Sequence, residues 1–287
     1  MVRDLRSRLK IKDLYRFYVV EKKSLEDIAR LYGVSRVAIW KYCQTAGLTT
    51  RNRSEARLEA QKRGKVPQQY FHINETFFSK WSCEMAYVLG LLLTDGCLAR
   101  AKNGSYAVRL CLNDLELLKR VAKAMGSEHR ITASKHQNGL YLFFFARQKM
   151  VQDLLKLGMK PRKSLDLVFP DVPGEYLKDF VRGVFDGDGS VYFNAKSKTC
   201  PLVTKFVSGS KNFIYGLERK LYDLGMPSRN IYEQKGKNLS YMFKYGHNNS
   251  IKLLHLLYHT EIGPGALYLE RKYDKFKEGA GINGQTG

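Results

Sequence analysis

Asp95 and Asp188 are the residues whose placement asks for chemistry. Each closes an apolar stretch and is followed by glycine: LGLLLTDG over Leu89–Gly96 and VRGVFDGDG over Val181–Gly189, with the two acids 93 residues apart. If both stretches are helices, each carboxylate sits at the negative end of a helix macrodipole, where a negative charge is disfavoured. Two such ends brought together also repel each other. A divalent cation removes both penalties. The carboxylates of Asp95 and Asp188, with the backbone oxygens of Thr94 and Gly187 beside them, are hard ligands of the kind Mg²⁺ takes.

The elements that must position these acids can be read from spacing. Gly90 and Thr94 are four apart, as are Gly183 and Gly187, so each pair lies on one helical face. Gly90 and Gly183 therefore predict a tight seam between the two helices. Gly96 and Gly189 are expected to end them as left-handed terminators. The surroundings of the two stretches repeat. Each half reads αββαββα, and Gly126 and Gly225 close the corresponding middle helices. Alternating strands such as YAVRLCL and TKFVS suit antiparallel sheets with one face on helices and one face wet. The fold class expected is α+β, a pseudo-symmetric duplicated αββαββα unit preceded by a small all-α domain.

Charge narrows the partner. The 287-residue chain carries 49 Lys+Arg against 27 Asp+Glu, a formal net charge of +22. Such self-repulsion fits a polyanionic partner, foremost nucleic acid. Arg100, Arg109, Lys135, Tyr192, Lys196, Lys205 and Lys244 are expected on the wet sheet faces, which would form a saddle for DNA. No apolar run approaches the roughly 20 residues of a spanning helix. MVRDLRSRLK is followed by no apolar signal core, so a cytoplasmic or nucleoid-associated location is expected, with organelle or phage origin open. The five cysteines are scattered and read as reduced thiols without a zinc module.

At the N-terminus, Ser24 to Leu48 reads helix, Gly33 turn, helix, with Ser24 and Ser35 as N-caps. Leu25, Ile28, Ala29 and Leu31 are the expected packing face of the first helix. Val37, Ala38, Ile39, Tyr42 and Cys43 are available for packing on the second. Residues 1–65 hold 17 Lys+Arg against 7 Asp+Glu, which favours a DNA-reading module over a protein-binding three-helix unit. Ser35, Arg36, Trp40, Lys41 and Gln44 are the side chains it would offer the major groove. The basic stretch that follows, with Arg51 and Arg53, reads as a linker able to follow phosphates. The domain boundaries expected are 1–48, a linker over 49–80, repeats over 81–168 and 169–277, and a disordered tail over 278–287.

VLGLLLTDG and VRGVFDGDG resemble the two motif copies of single-chain LAGLIDADG homing endonucleases. KWSCEMAYVLG, KPRKSLDLVFP and LYLERKYDKF are similar to flanks seen in that family, and IARLYGVSRVAIWKY resembles helix-turn-helix segments of resolvases and transposases. The endonuclease resemblance covers roughly Phe71 to Phe276. It implies a monomer that straddles double-stranded DNA and cuts both strands across the minor groove with Mg²⁺ or Mn²⁺. Asp95 and Asp188 would be its catalytic acids, and Lys163 and Lys272 basic residues beside them. The first copy departs from the pattern, with Leu93 where the second keeps Asp186. A regulator without catalysis, an RNA maturase and a nickase remain alternatives on the same fold. The chain neither begins with Cys or Ser nor ends at an Asn-containing junction, so a free-standing or intron-encoded protein is expected rather than an intact intein.

Overall fold

The computed structural model describes residues 5, 7–64, 71–101, 104–134, 137–161, 166–197, 201–236, 238–258 and 266–281, with the backbone alone at 53, 54, 57 and 61. The chain divides into two compact units, Met1–Tyr70 and Phe71–Gly287.

The first unit is helical among its described residues: α1 (Ile11–Tyr15), continuing as a π-helical turn over Arg16–Val20, then α2 (Leu25–Tyr32), α3 (Arg36–Thr45) and α4 (Arg53–Lys62). Ser24 caps α2 in a reciprocal box with Asp27, and Gly33, at φ 63°, turns the chain toward α3. Ile28, Ala29, Ala38, Ile39, Tyr42 and Cys43 join Leu9, Leu14 and Tyr18 in a small core. Leu31 and Val37 were expected in that core, but both are exposed, 58% and 59%. The helices of this short unit have only one covered side, and these two residues fall on the other.

The basic stretch after Leu48, expected as a linker able to follow phosphates, carries α4 and holds on to the first unit. The Arg51 guanidinium donates to the carbonyls of Tyr18, Lys22 and Lys23 at 2.7–3.0 Å and lies 4.3 Å from the Tyr18 ring centroid. Lys22 is the one described non-glycine residue with positive φ, 56°. Arg51 and Arg63 both donate to its carbonyl, so the α1–α2 loop is clamped by the stretch that follows it. At its other end, the expected linker gives Ile73, Phe77 and Phe78 to the core of the second unit. The break between units falls at Tyr70/Phe71.

The second unit is α+β and duplicated. Its first half runs α5 (Cys83–Thr94), β1 (Gly96–Arg100), β2 (Tyr106–Leu112), α6 (Leu115–Ala124), β3 (Thr132–Ala133), β4 (Tyr141–Phe145) and α7 (Gln148–Lys156). The second half runs α8 (Leu177–Asp188), β5 (Ser190–Phe193), β6 (Leu202–Ser208), α9 (Lys211–Asp223), β7 (Tyr232–Gln234), β8 (Ser240–Tyr245) and α10 (His247–Leu257). Each half is the expected αββαββα, and the sheets are antiparallel with the same order, β1-β2-β4-β3 and β5-β6-β8-β7. A further helix, α11 (Glu270–Gly279), follows the second half and extends into the stretch expected to be a disordered tail. Its Lys272 and Phe276 are buried, which gives it a reason to stay folded. Residues 282–287 lie outside the described set.

α5 is buried without interruption from Met85 to Leu93. It shows no amphipathic stripe because it has no wet side: α8 covers one flank and the core of the duplicated unit covers the rest.

Candidate active site

The seam between α5 and α8 is as close as the glycine spacing predicts. A Cβ built on Gly90 would stand 2.3 Å from the Phe180 carbonyl oxygen, and one on Gly183 would stand 2.1 Å from that of Tyr87. Farther along, a Cβ on Gly187 would meet Thr94 Oγ1 and lie 2.9 Å from Asp95 Oδ2. Asp95 thus reaches the residue that precedes Asp188 on the partner helix. Asp95 is half-buried and Asp188 exposed, so the pair opens to the outside at the helix ends.

Gly96 and Gly189 do not work as expected. Neither has positive φ, and Gly189 is extended at φ −73°, ψ 161°. They are glycines because the strands leave so close to the helices. A Cβ on Gly96 would stand 2.6 Å from the Leu92 carbonyl oxygen, and one on Gly189 2.4 Å from the Phe185 ring.

Beneath the acids lies a buried polar network that spacing did not reveal. Asp186 is 3% exposed. It accepts from Tyr87 Oη at 2.9 Å, Tyr258 Oη at 2.6 Å and the Leu269 backbone N–H at 2.8 Å. Burial pushes its carboxyl upward, against the opposing pull of Lys272 and these hydrogen bonds. Burial and then the Asp186 charge hold Tyr87 and Tyr258 far above the usual phenol range, so both remain donors. Arg182, also buried, donates to the carbonyls of Leu267 and Leu257 at 3.0 and 2.9 Å. The sequence signal was a pair of charged residues, Arg182 and Asp186, inside the otherwise uncharged stretch from Phe180 to Gly187.

Lys272, expected as a basic residue beside the acids, is 3% exposed. Its Nζ donates to the carbonyls of Phe185 (2.5 Å), Asp186 (2.8 Å), Gly187 (3.4 Å) and Gly189 (2.6 Å). These carbonyls lie at the C-terminus and C-cap of α8, where that of Phe185 also accepts the Gly189 N–H at 2.9 Å and a cation complements the dipole. Burial pushes the ammonium down to about 8, opposed by the nearby charges of Asp186, Asp95 and Asp188. In the first half Thr94 Oγ1 bonds the carbonyls of Gly90 and Leu91, closing α5 from within. Lys163 lies outside the described residues.

No group of three His, Cys, Asp or Glu side chains is arranged as a cation cage among the described residues. Two carboxylates at an open edge are nevertheless the donor set that suits Mg²⁺, which keeps its waters and takes its remaining oxygens from a phosphate substrate. The Gly187 carbonyl, expected as a ligand, is partly engaged by Lys272. Beside the acids is a cleft of about 280 Å³ lined by Asp95, Asn113, Asp114, Gly187 and Arg271 among others.

On the sheets, Arg109, Tyr192, Lys205 and Lys244 share the faces turned away from the helices, as their strand registers require. Arg100 pairs with Tyr106 and falls on the opposite parity from Arg109, so it does not belong to that face. Lys196 is exposed in the turn after β5. Lys135 and the Arg53 side chain lie outside the described residues. In the first unit Arg36, Trp40, Lys41 and Gln44 are exposed along one side of α3, whereas Ser35 Oγ is taken as N-cap by the Ala38 N–H.

Residues 175–261 match the family model of the LAGLIDADG-like domain. That match spans most of the second half of the duplicated unit, which is therefore similar to the LAGLIDADG-like domain. The first half repeats its element order and sheet topology. Among solved structures, the homing endonuclease I-DmoI in complex with DNA and Ca is 17% identical, with a TM-score of 0.47 over 69% of this chain and 96% of that one. The meganuclease I-SmaMI bound to uncleaveable DNA is 12% identical, with a TM-score of 0.44 over 68% and 88%. The homing endonuclease I-WcaI bound to its DNA recognition sequence is 13% identical, with a TM-score of 0.44 over 69% and 91%. A probable translation initiation factor IF-2 of Methanocaldococcus jannaschii is 25% identical over 219 residues. The match takes in 74% of this chain but only 17% of that much longer protein. Among the described residues no helix is long and apolar enough to cross a membrane.

Proposed function

We propose that this protein is a site-specific, divalent-cation-dependent endonuclease that cuts both strands of DNA across the minor groove. The observation that carries the reading is the α5–α8 seam, which brings the carboxylate of Asp95 against the residue preceding Asp188. One chain supplies both acids, so the protein works as a monomer. Mg²⁺ or Mn²⁺, when bound, supplies Lewis-acid stabilisation of the phosphoryl oxygens and lowers the pKa of an attacking water. Asp95 and Asp188 are the residues that would hold the cation. Thr94 and Lys272 keep the two helix ends in place, and Lys272 is a positioning residue rather than a catalytic one. Arg271, in the cleft beside Asp95, is placed to neutralise a phosphate.

The wet sheet faces, with Arg109, Tyr192, Lys205 and Lys244, lie along the duplex. The first unit adds a helix-turn-helix contact through Arg36, Trp40, Lys41 and Gln44 of α3, with Arg51 shaping the unit rather than touching phosphate. The test is cleavage of a duplex library in Mg²⁺ by the wild type, Asp95→Asn and Asp188→Asn. Each variant is expected to lose double-strand cutting and keep binding. Full double-strand cutting by either one would remove the assignment. Deleting residues 1–48 should shorten the footprint and weaken binding; an unchanged footprint would remove the helix-turn-helix reading.

A further inference from the structure

The two sheets present matching rows of outward side chains that begin two residues after each acid. Cys97 pairs with Arg109, which pairs with Phe144. In the second half Ser190 pairs with Lys205, which pairs with Lys244. The third position of each row sits between two buried aromatics, Phe143 and Phe145 in β4, Phe243 and Tyr245 in β8. Both residues are therefore forced outward by strand alternation. The middle positions, Arg109 and Lys205, are cationic donors in both halves. The third positions are not equivalent. Phe144 is 40% exposed, a large ring on a wet face with the Arg109 guanidinium 5.8 Å from its centroid. Lys244 is an exposed ammonium.

We infer that Phe144 and Lys244 make the recognition asymmetric at one pair of symmetry-related base positions, thymine opposite Phe144 and guanine opposite Lys244. The inference rests on the proposed DNA-cutting function. In the major groove the thymine 5-methyl is the apolar feature a ring can cover, and guanine O6 and N7 are the acceptors a lysine ammonium can reach. An exposed phenylalanine on a wet face is otherwise unproductive, since it stays in water in the free protein. Arg109 and Lys205 are cationic in both halves and keep a common preference next to this pair.

The experiment is selection of targets from a randomised duplex library by the full chain, with the cleavage positions defining the dyad. The wild type is expected to select thymine at one position and guanine at its symmetry mate. Replacing that thymine by deoxyuridine removes only the methyl group and should weaken binding about fourfold, the worth of one buried methyl. Phe144→Lys should change the selected thymine to guanine and abolish the deoxyuridine effect, while Phe144→Ala abolishes the effect without gaining guanine. Lys244→Phe should lose the guanine preference in the other half alone. The same base at both positions, or an unchanged thymine preference in both Phe144 variants, overturns the inference while leaving the nuclease reading intact. A chain that binds no duplex overturns both.

Discussion

Gly183→Ala tests the seam directly. The added Cβ would stand 2.1 Å from the Tyr87 carbonyl oxygen, 2.9 Å from the Tyr87 carbonyl carbon and 3.1 Å from the Leu91 nitrogen. All three are backbone atoms of α5, so no side chain can swing aside. Reaching an ordinary contact requires the two helices to part by about 1 Å at this point. Overpacking of a well-filled interior costs about 1–3 kcal/mol, and this site lies at the upper end because both helices are buried. For a unit of this size that corresponds to a fall of roughly 6–12 °C in melting temperature. The same shift carries Asp188 away from Asp95, and a misplacement of about 1 Å can cost about 100-fold in rate. Gly174→Ala, where a Cβ meets nothing within 4 Å, is the control. Thermal unfolding of each variant would be paired with single-turnover cleavage of the selected target. A Gly183→Ala protein that melts within a degree of wild type refutes the close seam. One that melts lower yet cuts at full rate refutes the claim that the seam positions the acids.

Lys272→Met should lower stability by about 2–4 kcal/mol in urea unfolding, because the carbonyls at the end of α8 lose their buried donor; a loss below about 0.5 kcal/mol would contradict the capping role. Arg51→Ala should destabilise the first unit by about 1–3 kcal/mol through the carbonyls of Tyr18, Lys22 and Lys23, seen as faster hydrogen exchange in residues 16–25, and unchanged exchange there would refute the clamp. Asp153 accepts from Ser79 and Lys149, and these bonds hold its carboxyl below the usual range. A depressed folded pKa stabilises above the unfolded value of about 3.9 and is lost as pH falls through the folded value. Asp153→Asn should therefore cost up to about 1 kcal/mol at pH 7, with the gap from wild type closing below pH ~4. A gap that persists there would assign the loss to packing.

Much of the site was legible because its signals are local. The four-residue spacing of Gly90 with Thr94 and of Gly183 with Gly187 states which helix face can approach a neighbour, and that face lies on the seam. Gly33 reads correctly as the turn between two helices for the same reason. Gly96 and Gly189 read wrongly because glycine answers to two constraints, positive φ and close approach, which look identical in a sequence. Leu31 and Val37 were misplaced because an apolar residue on a short helix need not find a partner in a unit with one small core.

What the sequence determined by itself was the duplication, the two helices that end in Asp95 and Asp188, and the alternation that puts Arg109, Lys205 and Lys244 on wet faces. Each follows from periodicities of 2 and 3.6 residues, which need no knowledge of the rest of the chain. Only the tertiary structure decided that Lys272 donates to the carbonyls that close α8, and that Asp186 gathers Tyr87, Tyr258 and Leu269. Tyr87 and Asp186 are 99 residues apart. A hydrogen bond over that distance is set by how two helices and a final one pack, and a buried ion takes whatever partners the packing leaves within reach.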